Sequence, residues 1–126
     1  EVWISGYFGE ERSFNGGPRQ GHHGGTDIAA PEGTPVRSTN HGTVVLAEET
    51  LIRGFLVVVD HGSGVLSCYG HMRELRVAAG QVVSRGQTVG LVGSSGLSTG
   101  PHLHWELATG GVLIDGLRWL DGTQGF

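Results

Sequence analysis

Short apolar segments separated by glycine run through most of this chain, and they limit the folds that it can adopt. Of the 126 residues, 24 are glycine and only four are proline. Glycine disfavours long helices and permits tight turns between strands. Strand-length segments that recur about every 8–12 residues between such turns are typical of all-β proteins. We therefore predict an all-β fold: a mostly antiparallel sheet or sandwich, with a groove walled by loops and little helix.

Four stretches of the chain carry the predicted strands, each as a pair joined by a turn: residues 33–49, 54–72, 81–96 and 102–115. The pair at 54–72 is predicted to be a β-hairpin that turns at residues 60–64. One short helical turn is predicted at Gly116–Leu120, and the first 26 residues are expected to be loops wrapped over the sheet. We expect a single domain over residues 1–126, as a fragment or mature form of a longer precursor.

The charge, lysine and cysteine contents exclude several classes of protein. The formal net charge is −4, and phosphate binding needs clustered Lys and Arg, so no nucleic-acid partner is expected. All eight basic residues are arginine, which excludes the lipoyl and biotinyl carrier domains, because these need a lysine on a hairpin tip. The lone Cys68 excludes an internal disulfide framework. No apolar run approaches the roughly 20 residues of a membrane helix, so we expect no transmembrane segment in this chain.

Two histidines stand one residue apart inside the apolar stretch GPHLHWEL, residues 100–107. On a strand, residues i and i+2 point to the same face, so the imidazoles of His102 and His104 project together. Leu103 and Trp105 then face the core, which accounts for the apolar surroundings of the two histidines. The pair by itself is only a weak indication of a metal site.

A second group of metal-binding residue types lies in HHGGTD, residues 22–27. His23 and Asp27 stand four apart, and the glycines between them favour a tight loop over a helix. An imidazole and a carboxylate on such a loop supply two ligands to zinc, whereas a His–Asp hydrogen bond or a turn cap would use the same residues. Catalytic zinc sites keep three protein ligands, so His23, Asp27 and one of His102 and His104 would complete the set.

A further histidine, His71, follows an apolar hairpin and would lie beside such a metal together with the unused member of the pair. Five stretches, in this order, resemble the lysostaphin-type zinc endopeptidases, also called the LytM-like family, which cut peptide bonds in bacterial peptidoglycan. They are HHGGTDIAAPEGTPV (22–36), HGTVV (41–45), VVVDHGSGVLSCYGHM (57–72), VSRGQTVGLVGSSGLSTGPHLHWEL (83–107) and DGLRWL (115–120). They cover nearly the whole chain from residue 22.

The resemblance implies a role for each of the five residues. The family pattern is H-x-x-x-D, then a lone histidine after a strand that contains tyrosine, then H-x-H. It implies that His23, Asp27 and His104 bind zinc and that His71 and His102 are the catalytic pair without a bond to the metal. All five positions carry the expected residue types, which favours an active enzyme.

Three more residues are predicted to lie around the ligands or along the groove: His22, Tyr69 and Glu106. Glu106 shares the strand face of His104 by parity, where it would accept a hydrogen bond from a ligand imidazole or remain a solvated charge. The other singled-out residues receive structural interpretations. His41 is expected in an exposed turn, His61 as a cap for backbone groups, Cys68 as a small buried residue, and Trp105 and Trp119 in the core.

The resemblance also implies a substrate class and a location. Family members cleave glycine–glycine bonds in peptidoglycan bridges or D-amino-acid cross-links between stem peptides, and the stretch FGEERSFNGGPRQGHHGG favours the cross-link type. The protein is expected to be extracytoplasmic: secreted, periplasmic or associated with the cell envelope. The main alternative is a non-catalytic module of the same fold that binds wall peptides or activates a partner hydrolase. A metal-storage or sensing protein would use closed four-ligand sites instead.

Overall fold

A computed structural model describes residues 3–7, 9, 11–13, 19–22, 24–96, 98 and 100–116 of the chain, with the backbone alone at 11–13 and 19–22. The described strands are β1 (Trp3–Gly6), β2 (Glu11–Ser13), β3 (Arg19–His22), β4 (Thr26–Ala29), β5 (Pro35–Arg37), β6 (Gly42–Thr50), β7 (Gly54–Gly62), β8 (Val65–Leu75), β9 (Val82–Val83), β10 (Thr88–Val92), β11 (His102–Thr109) and β12 (Val112–Ile114). All pairings among them are antiparallel. The all-β prediction is confirmed.

Ten of these strands form one sheet. Its main path runs β1-β4-β11-β8-β7-β6-β9, while β10 pairs with both β5 and β8, and β12 pairs with β11. Strands β2 and β3 form a separate two-stranded ribbon. The long strands β8 and β11 therefore lie side by side near the middle of the sheet, with β4 next to β11.

The two faces of the central strands carry different residues: one packs into the core and the other bears the predicted site. Tyr69 on β8 stands between Val57 on β7 and Trp105 on β11, and all three are almost fully buried in the core. Because successive side chains alternate between faces, Cys68 and its partner Glu106 lie on the other side. His104 shares that second face with Glu106, so the sheet holds the core on one side and the predicted site on the other.

The hairpin between β7 and β8 is tighter than predicted. Its turn consists of Ser63 and Gly64, whose φ angles are 54° and 78°, while residues 60–62 continue the strand. Two-residue hairpin loops need positive φ because this geometry matches the twist of the flanking strands, and glycine adopts it without steric cost.

The beginning and the end of the chain differ from the prediction or lie outside the described residues. Loops were expected over the first 26 residues, but residues 3–6, 11–13 and 19–22 form strands. Strand β1 pairs with β4, with Gly6 opposite Asp27, and adds an edge strand beside the site.

Most of the predicted helical turn after Gly116, including Trp119, lies outside the described part of the chain. No described helix is long and apolar enough to cross a membrane.

Candidate active site

Three neighbouring strands bring the predicted site residues together. Asp27 on β4 is directly opposite His104 on β11, and Gly70 on β8 is opposite the same histidine from the other side. His71 follows Gly70, and His102 lies two residues before His104 on the same face of β11. The sheet register thus gathers four of the five predicted residues. The fifth, His23, lies outside the described residues.

The carboxylate of Asp27 stands at the centre of this cluster. Its Oδ1 lies 2.8 Å from Nδ1 of His104 and 3.7 Å from Nε2 of His102. The ring centroid of His71 is 5.0 Å from that of His102 and 5.9 Å from that of His104. Three imidazoles and one carboxylate therefore border a common space.

Both ring nitrogens of His104 form hydrogen bonds with carboxylates. Nδ1 donates to Oδ1 of Asp27, and Nε2 donates to Oε2 of Glu106 at 2.7 Å. Burial lowers the pKa of His104, but the hydrogen bonds with Asp27 and Glu106 outweigh this effect and raise the pKa to about 9. The position between Nδ1 and the carboxylate of Asp27 therefore favours positive charge, whether a proton or a metal cation.

His71 and His102 use their ring nitrogens in the opposite way. Nδ1 of His71 donates to the carbonyl of Ser95 at 2.7 Å, and Nδ1 of His102 donates to the carbonyl of Gly100 at 2.9 Å. In a neutral imidazole the other nitrogen, Nε2, then carries the lone pair. Burial lowers the pKa of His71, with the neighbouring histidines acting in the same direction, so this ring favours the neutral form.

The backbone of His71 has an unusual conformation. Its φ of 61° lies in the left-handed region, which non-glycine residues rarely adopt. Its N–H donates to the carbonyl of Arg53 at 2.6 Å, while the hydroxyl of Ser95 accepts from the N–H of Phe55 and donates to the carbonyl of Met72. These contacts from two loops hold a strained residue at the site.

Gly25 explains why the loop before Asp27 contains glycine. A Cβ at this position would lie 2.5 Å from the carbonyl oxygen of Trp105, 2.9 Å from Cγ of Glu106 and 3.1 Å from Cε1 of His104. Any larger residue would separate β4 from β11. The glycine therefore permits the close approach that places Asp27 against His104.

Glu106 accepts from a second cation that the sequence analysis did not single out. Nε and Nη2 of Arg53 lie 3.1 Å and 2.8 Å from Oε2 of Glu106. Burial raises the pKa of Glu106, but the hydrogen bonds from His104 and Arg53 more than offset this and lower it. The sequence signal for Arg53 was indirect: a carboxylate on a buried strand needs a cationic partner.

The other predicted residues lie away from the cluster or have backbone alone described. The proposal that Tyr69 lines the groove is not supported, because its ring faces the core and its hydroxyl bonds with Thr39 and Ser67. His22 is described only by its backbone, which pairs with Glu11. His41 is exposed, as predicted.

His61 and Cys68 have structural surroundings. Nδ1 of His61 donates to the carbonyl of His41, and Nε2 is 2.7 Å from the hydroxyl of Ser67, in agreement with the predicted capping role. Burial raises the pKa of the Cys68 thiol to about 11, so the nucleophilic thiolate is disfavoured at neutral pH. Neither side chain offers the chemistry of the histidine cluster.

The donor set fits zinc as far as it is described. Imidazole nitrogen and carboxylate oxygen are both common zinc ligands, and Nδ1 of His104 faces Oδ1 of Asp27. Among the described residues, no three His, Cys, Asp or Glu side chains are arranged to hold a metal ion by themselves. The third predicted ligand is His23, which precedes the first described residue of the loop, Gly24.

Comparisons with known proteins agree with this chemistry. The family described as Peptidase family M23 matches residues 21–116. The chain is 40% identical over 115 residues to the peptidoglycan DD-endopeptidase ShyA of Vibrio cholerae. This match covers 91% of the present chain but only 27% of ShyA. The chain is also 40% identical over 96 residues to the murein hydrolase activator EnvC of Escherichia coli, covering 76% of this chain and 23% of EnvC.

A solved structure gives the same result in three dimensions. A zinc-containing peptidase from Vibrio cholerae superposes with a TM-score of 0.83 at 36% identity, over 90% of this chain and 35% of that one. The chain thus spans about a quarter to a third of the length of these proteins.

Proposed function

The chain belongs to peptidase family M23, and we propose that it is a zinc-dependent endopeptidase that hydrolyses peptide bonds in bacterial peptidoglycan. Membership of this family confirms the relationship predicted from the sequence. The observation that carries the proposal is the cluster around Asp27, in which Oδ1 lies 2.8 Å from Nδ1 of His104 and 3.7 Å from Nε2 of His102. Three protein ligands, as proposed here, would leave the fourth position of the metal to water, as in catalytic zinc sites, whereas structural zinc sites are closed.

The residues that would hold the metal are Asp27, His104 and His23. Zinc at such a site would supply Lewis-acid chemistry: it would polarise a carbonyl and lower the pKa of water to about 7. Asp27 and His104 come from two paired strands, so their separation is fixed by the sheet rather than by a mobile loop.

His102 and His71 are proposed to handle the protons. His102 is placed as the general base, because its Nδ1–H is held by the carbonyl of Gly100 and its Nε2 points toward Asp27. The proton it takes from water passes to the amine that leaves. His71 is held neutral with Nε2 as an acceptor, so it orients the attacking water by accepting one of its hydrogens.

The proposed substrate is the D-amino-acid cross-link between peptidoglycan stem peptides. The name of ShyA, a peptidoglycan DD-endopeptidase, supports this choice over a glycine–glycine bridge. A protein that acts on peptidoglycan works outside the cytoplasm, so we propose an extracytoplasmic location. The family match over residues 21–116 supports the proposal that residues 1–126 form one peptidase domain.

A second candidate is an activator of a partner hydrolase without activity of its own. It is favoured by the similarity to EnvC, which is named a murein hydrolase activator. The described cluster of Asp27, His71, His102 and His104 favours the enzyme, because binding alone requires neither general base nor bound metal.

The proposal is tested by digesting purified peptidoglycan with the zinc-loaded chain and analysing the fragments by mass spectrometry. Loss of cross-linked dimers with release of monomeric stem peptides is expected, and a chelator should abolish it. Asp27→Ala is the matched inactive variant, since it removes a proposed ligand. Unchanged muropeptides from several wall chemotypes, despite full zinc loading, would contradict the hydrolase and favour the activator.

A further inference from the structure

We propose that Arg53 is a positioning residue of the metal site, which acts through Glu106 to hold the imidazole of His104 in the orientation and tautomer that bind zinc. This inference rests on the proposed function, because it concerns the same metal site. Arg53 lies in the turn between β6 and β7, outside the three strands that carry the site residues.

One oxygen atom links Arg53 to the ligand. Oε2 of Glu106 accepts from Nε and Nη2 of Arg53 at 3.1 Å and 2.8 Å, and also from Nε2 of His104 at 2.7 Å. The side chain of Glu106 is 5% exposed, whereas that of Arg53 is 42% exposed. The guanidinium thus reaches from the surface to a buried carboxylate that touches the ligand.

The hydrogen-bond donors around Glu106 determine which ring nitrogen of His104 would keep its proton when zinc binds. A guanidinium has only donors, so an oxygen that it holds with two N–H groups acts as an acceptor. His104 must then present Nε2–H to that oxygen, which leaves Nδ1 for the cation shared with Asp27. Second partners of this kind set the tautomer and the ring orientation of metal-binding histidines.

Arg53 reaches Glu106 by crossing the strand that lies between them. In the sheet order β11-β8-β7, a residue that precedes β7 must pass over β8 before it reaches Glu106 on β11. The passage lies over Gly70, where a Cβ would be 3.3 Å from the carbonyl oxygen of Arg53 and 3.5 Å from its Cβ. The same carbonyl accepts the N–H of His71. Arg53 therefore contacts the catalytic histidine with its backbone and the ligand's partner with its side chain.

Surface ion pairs elsewhere in the chain provide a contrast. Arg76 pairs with Glu74, and both side chains are about half exposed, at 51% and 41%. Such pairs contribute little because water screens both charges. The buried carboxylate of Glu106 distinguishes the Arg53 pair from this one, and Arg76→Met is consequently a matched control for Arg53→Met.

The experiment measures zinc dissociation constants by competition with a chromophoric chelator, using the 126-residue chain. Arg53→Met and Glu106→Gln should each weaken zinc binding by about 10- to 100-fold. The double variant should bind within about twofold of the weaker single variant, because Arg53 acts through Glu106. Arg76→Met should bind zinc like the unmodified chain. Activity of Arg53→Met should recover when zinc is added in excess.

A second variant protects the test against loss of folding. If circular dichroism shows that Arg53→Met is unfolded, Arg53→Lys is used, and we expect an intermediate loss of zinc affinity because lysine lacks the planar fork. The visible spectrum of the cobalt-substituted chain, which reports ligand geometry, should change in Arg53→Lys and not in Arg76→Met.

Three outcomes overturn the inference: unchanged zinc affinity in Arg53→Met, additive losses in the double variant, or lower kcat at saturating zinc with unchanged affinity. The last outcome would assign Arg53 to the substrate. If the unmodified chain bound no zinc, both this inference and the proposed function would fail. If it bound zinc but cleaved no peptidoglycan, only the proposed function would fail, and the zinc affinities would still decide the role of Arg53.

Discussion

At the scale of single residues, three histidines differ in the hydrogen-bond acceptors that lie beside their ring nitrogens. The sequence alone does not show this difference. His71 and His102 donate Nδ1–H to backbone carbonyls, which leaves Nε2 for the proposed proton transfer. His104 donates Nε2–H to Glu106 and turns Nδ1 toward Asp27. The acceptors therefore support the roles that the family resemblance implied: a proton-handling pair and a metal ligand.

The first prediction separates proton transfer from metal binding. His102→Ala should reduce hydrolysis by about 10²- to 10⁴-fold, because it removes the proposed general base. It should nevertheless retain one zinc per chain, since Asp27 and His104 keep their contact. Zinc is measured by elemental analysis after dialysis, with Asp27→Ala as the variant that loses both zinc and activity. Retained hydrolysis, or loss of zinc from His102→Ala, would show that the roles are misassigned.

The second prediction concerns the pH dependence that His71 contributes. Burial and the neighbouring histidines hold the pKa of His71 below its ordinary value of 6.5. As the pH falls below 6.5, the unfolded chain binds a proton at this position before the folded chain does. The contribution of His71 to the free energy of unfolding of the metal-free chain should therefore decrease with acidification, whereas that of His104, whose pKa is raised to about 9, should increase as the pH falls from 9 to 6.5.

This pH effect is measured by urea unfolding in the presence of chelator at pH 7.5 and pH 5.5. On going from pH 7.5 to pH 5.5, the free energy of unfolding should change more favourably in His71→Gln than in the unmodified chain, because the variant keeps the contribution of His104 and has no imidazole to titrate at position 71. His41→Gln, at an exposed turn, serves as the control and should behave like the unmodified chain. An equal change with pH in His71→Gln and the unmodified chain would contradict the prediction.

At the scale of elements, two loops that carry none of the proposed metal ligands pack against β8 beside His71. The turn between β6 and β7 leads into Gly54, the first residue of β7, whose φ is +64° and where a Cβ would lie 2.2 Å from Oγ of Ser95. The segment after β10 supplies Ser95, whose carbonyl holds His71. The two loops are therefore packed against each other directly beside the left-handed residue of β8.

The third prediction tests this loop contact. Ser95→Ala removes the hydroxyl that accepts from Phe55 N–H and donates to the Met72 carbonyl. Leaving such groups unpaired should lower the free energy of unfolding by about 1–3 kcal/mol. The kcat should fall on the order of tenfold, because His71 loses part of its support.

The matched control for this change is Ser94→Ala, since Ser94 is the exposed neighbour of Ser95. Urea unfolding, kcat and zinc affinity are measured for both variants. Zinc affinity should remain within about twofold in Ser95→Ala, because two of the proposed metal ligands, Asp27 and His104, lie on β4 and β11. Loss of zinc from Ser95→Ala, or equal effects of the two variants, would contradict the assignment of this loop to His71.

The same elements show what the sequence could and could not predict. Strand parity placed His102 and His104 on one face because the period of a strand is local. Strand parity does not reveal the contact of Arg53 with Glu106, because this contact depends on the sheet order, which brings a distant turn across Gly70. The short strands β1–β3 were also missed. Each has three or four residues, and their pairing depends on distant partners rather than on a local apolar alternation.

At the scale of the whole molecule, the sheet determines which of the proposed ligands lie next to each other. Asp27 and His104 are 77 positions apart in the chain, yet they stand opposite each other in neighbouring strands. The sequence predicted their shared function through the family pattern, while their geometry required the antiparallel register. Because β4 and β11 are paired by backbone hydrogen bonds, zinc would add to a framework that already exists.

The fourth prediction follows from that framework. Zinc that binds only the folded chain should stabilise it by about 2.7 kcal/mol when its free concentration is 100 times its Kd. For a domain of this size, the melting temperature should then rise by roughly 10 °C. Because the sheet does not depend on the metal for its pairing, the chelated chain should still melt cooperatively. Calorimetry across a series of zinc concentrations checks both expectations, with Asp27→Ala as the chain that should not respond. An unfolded chelated chain, or an equal rise in Asp27→Ala, would show that zinc acts on the fold by another route.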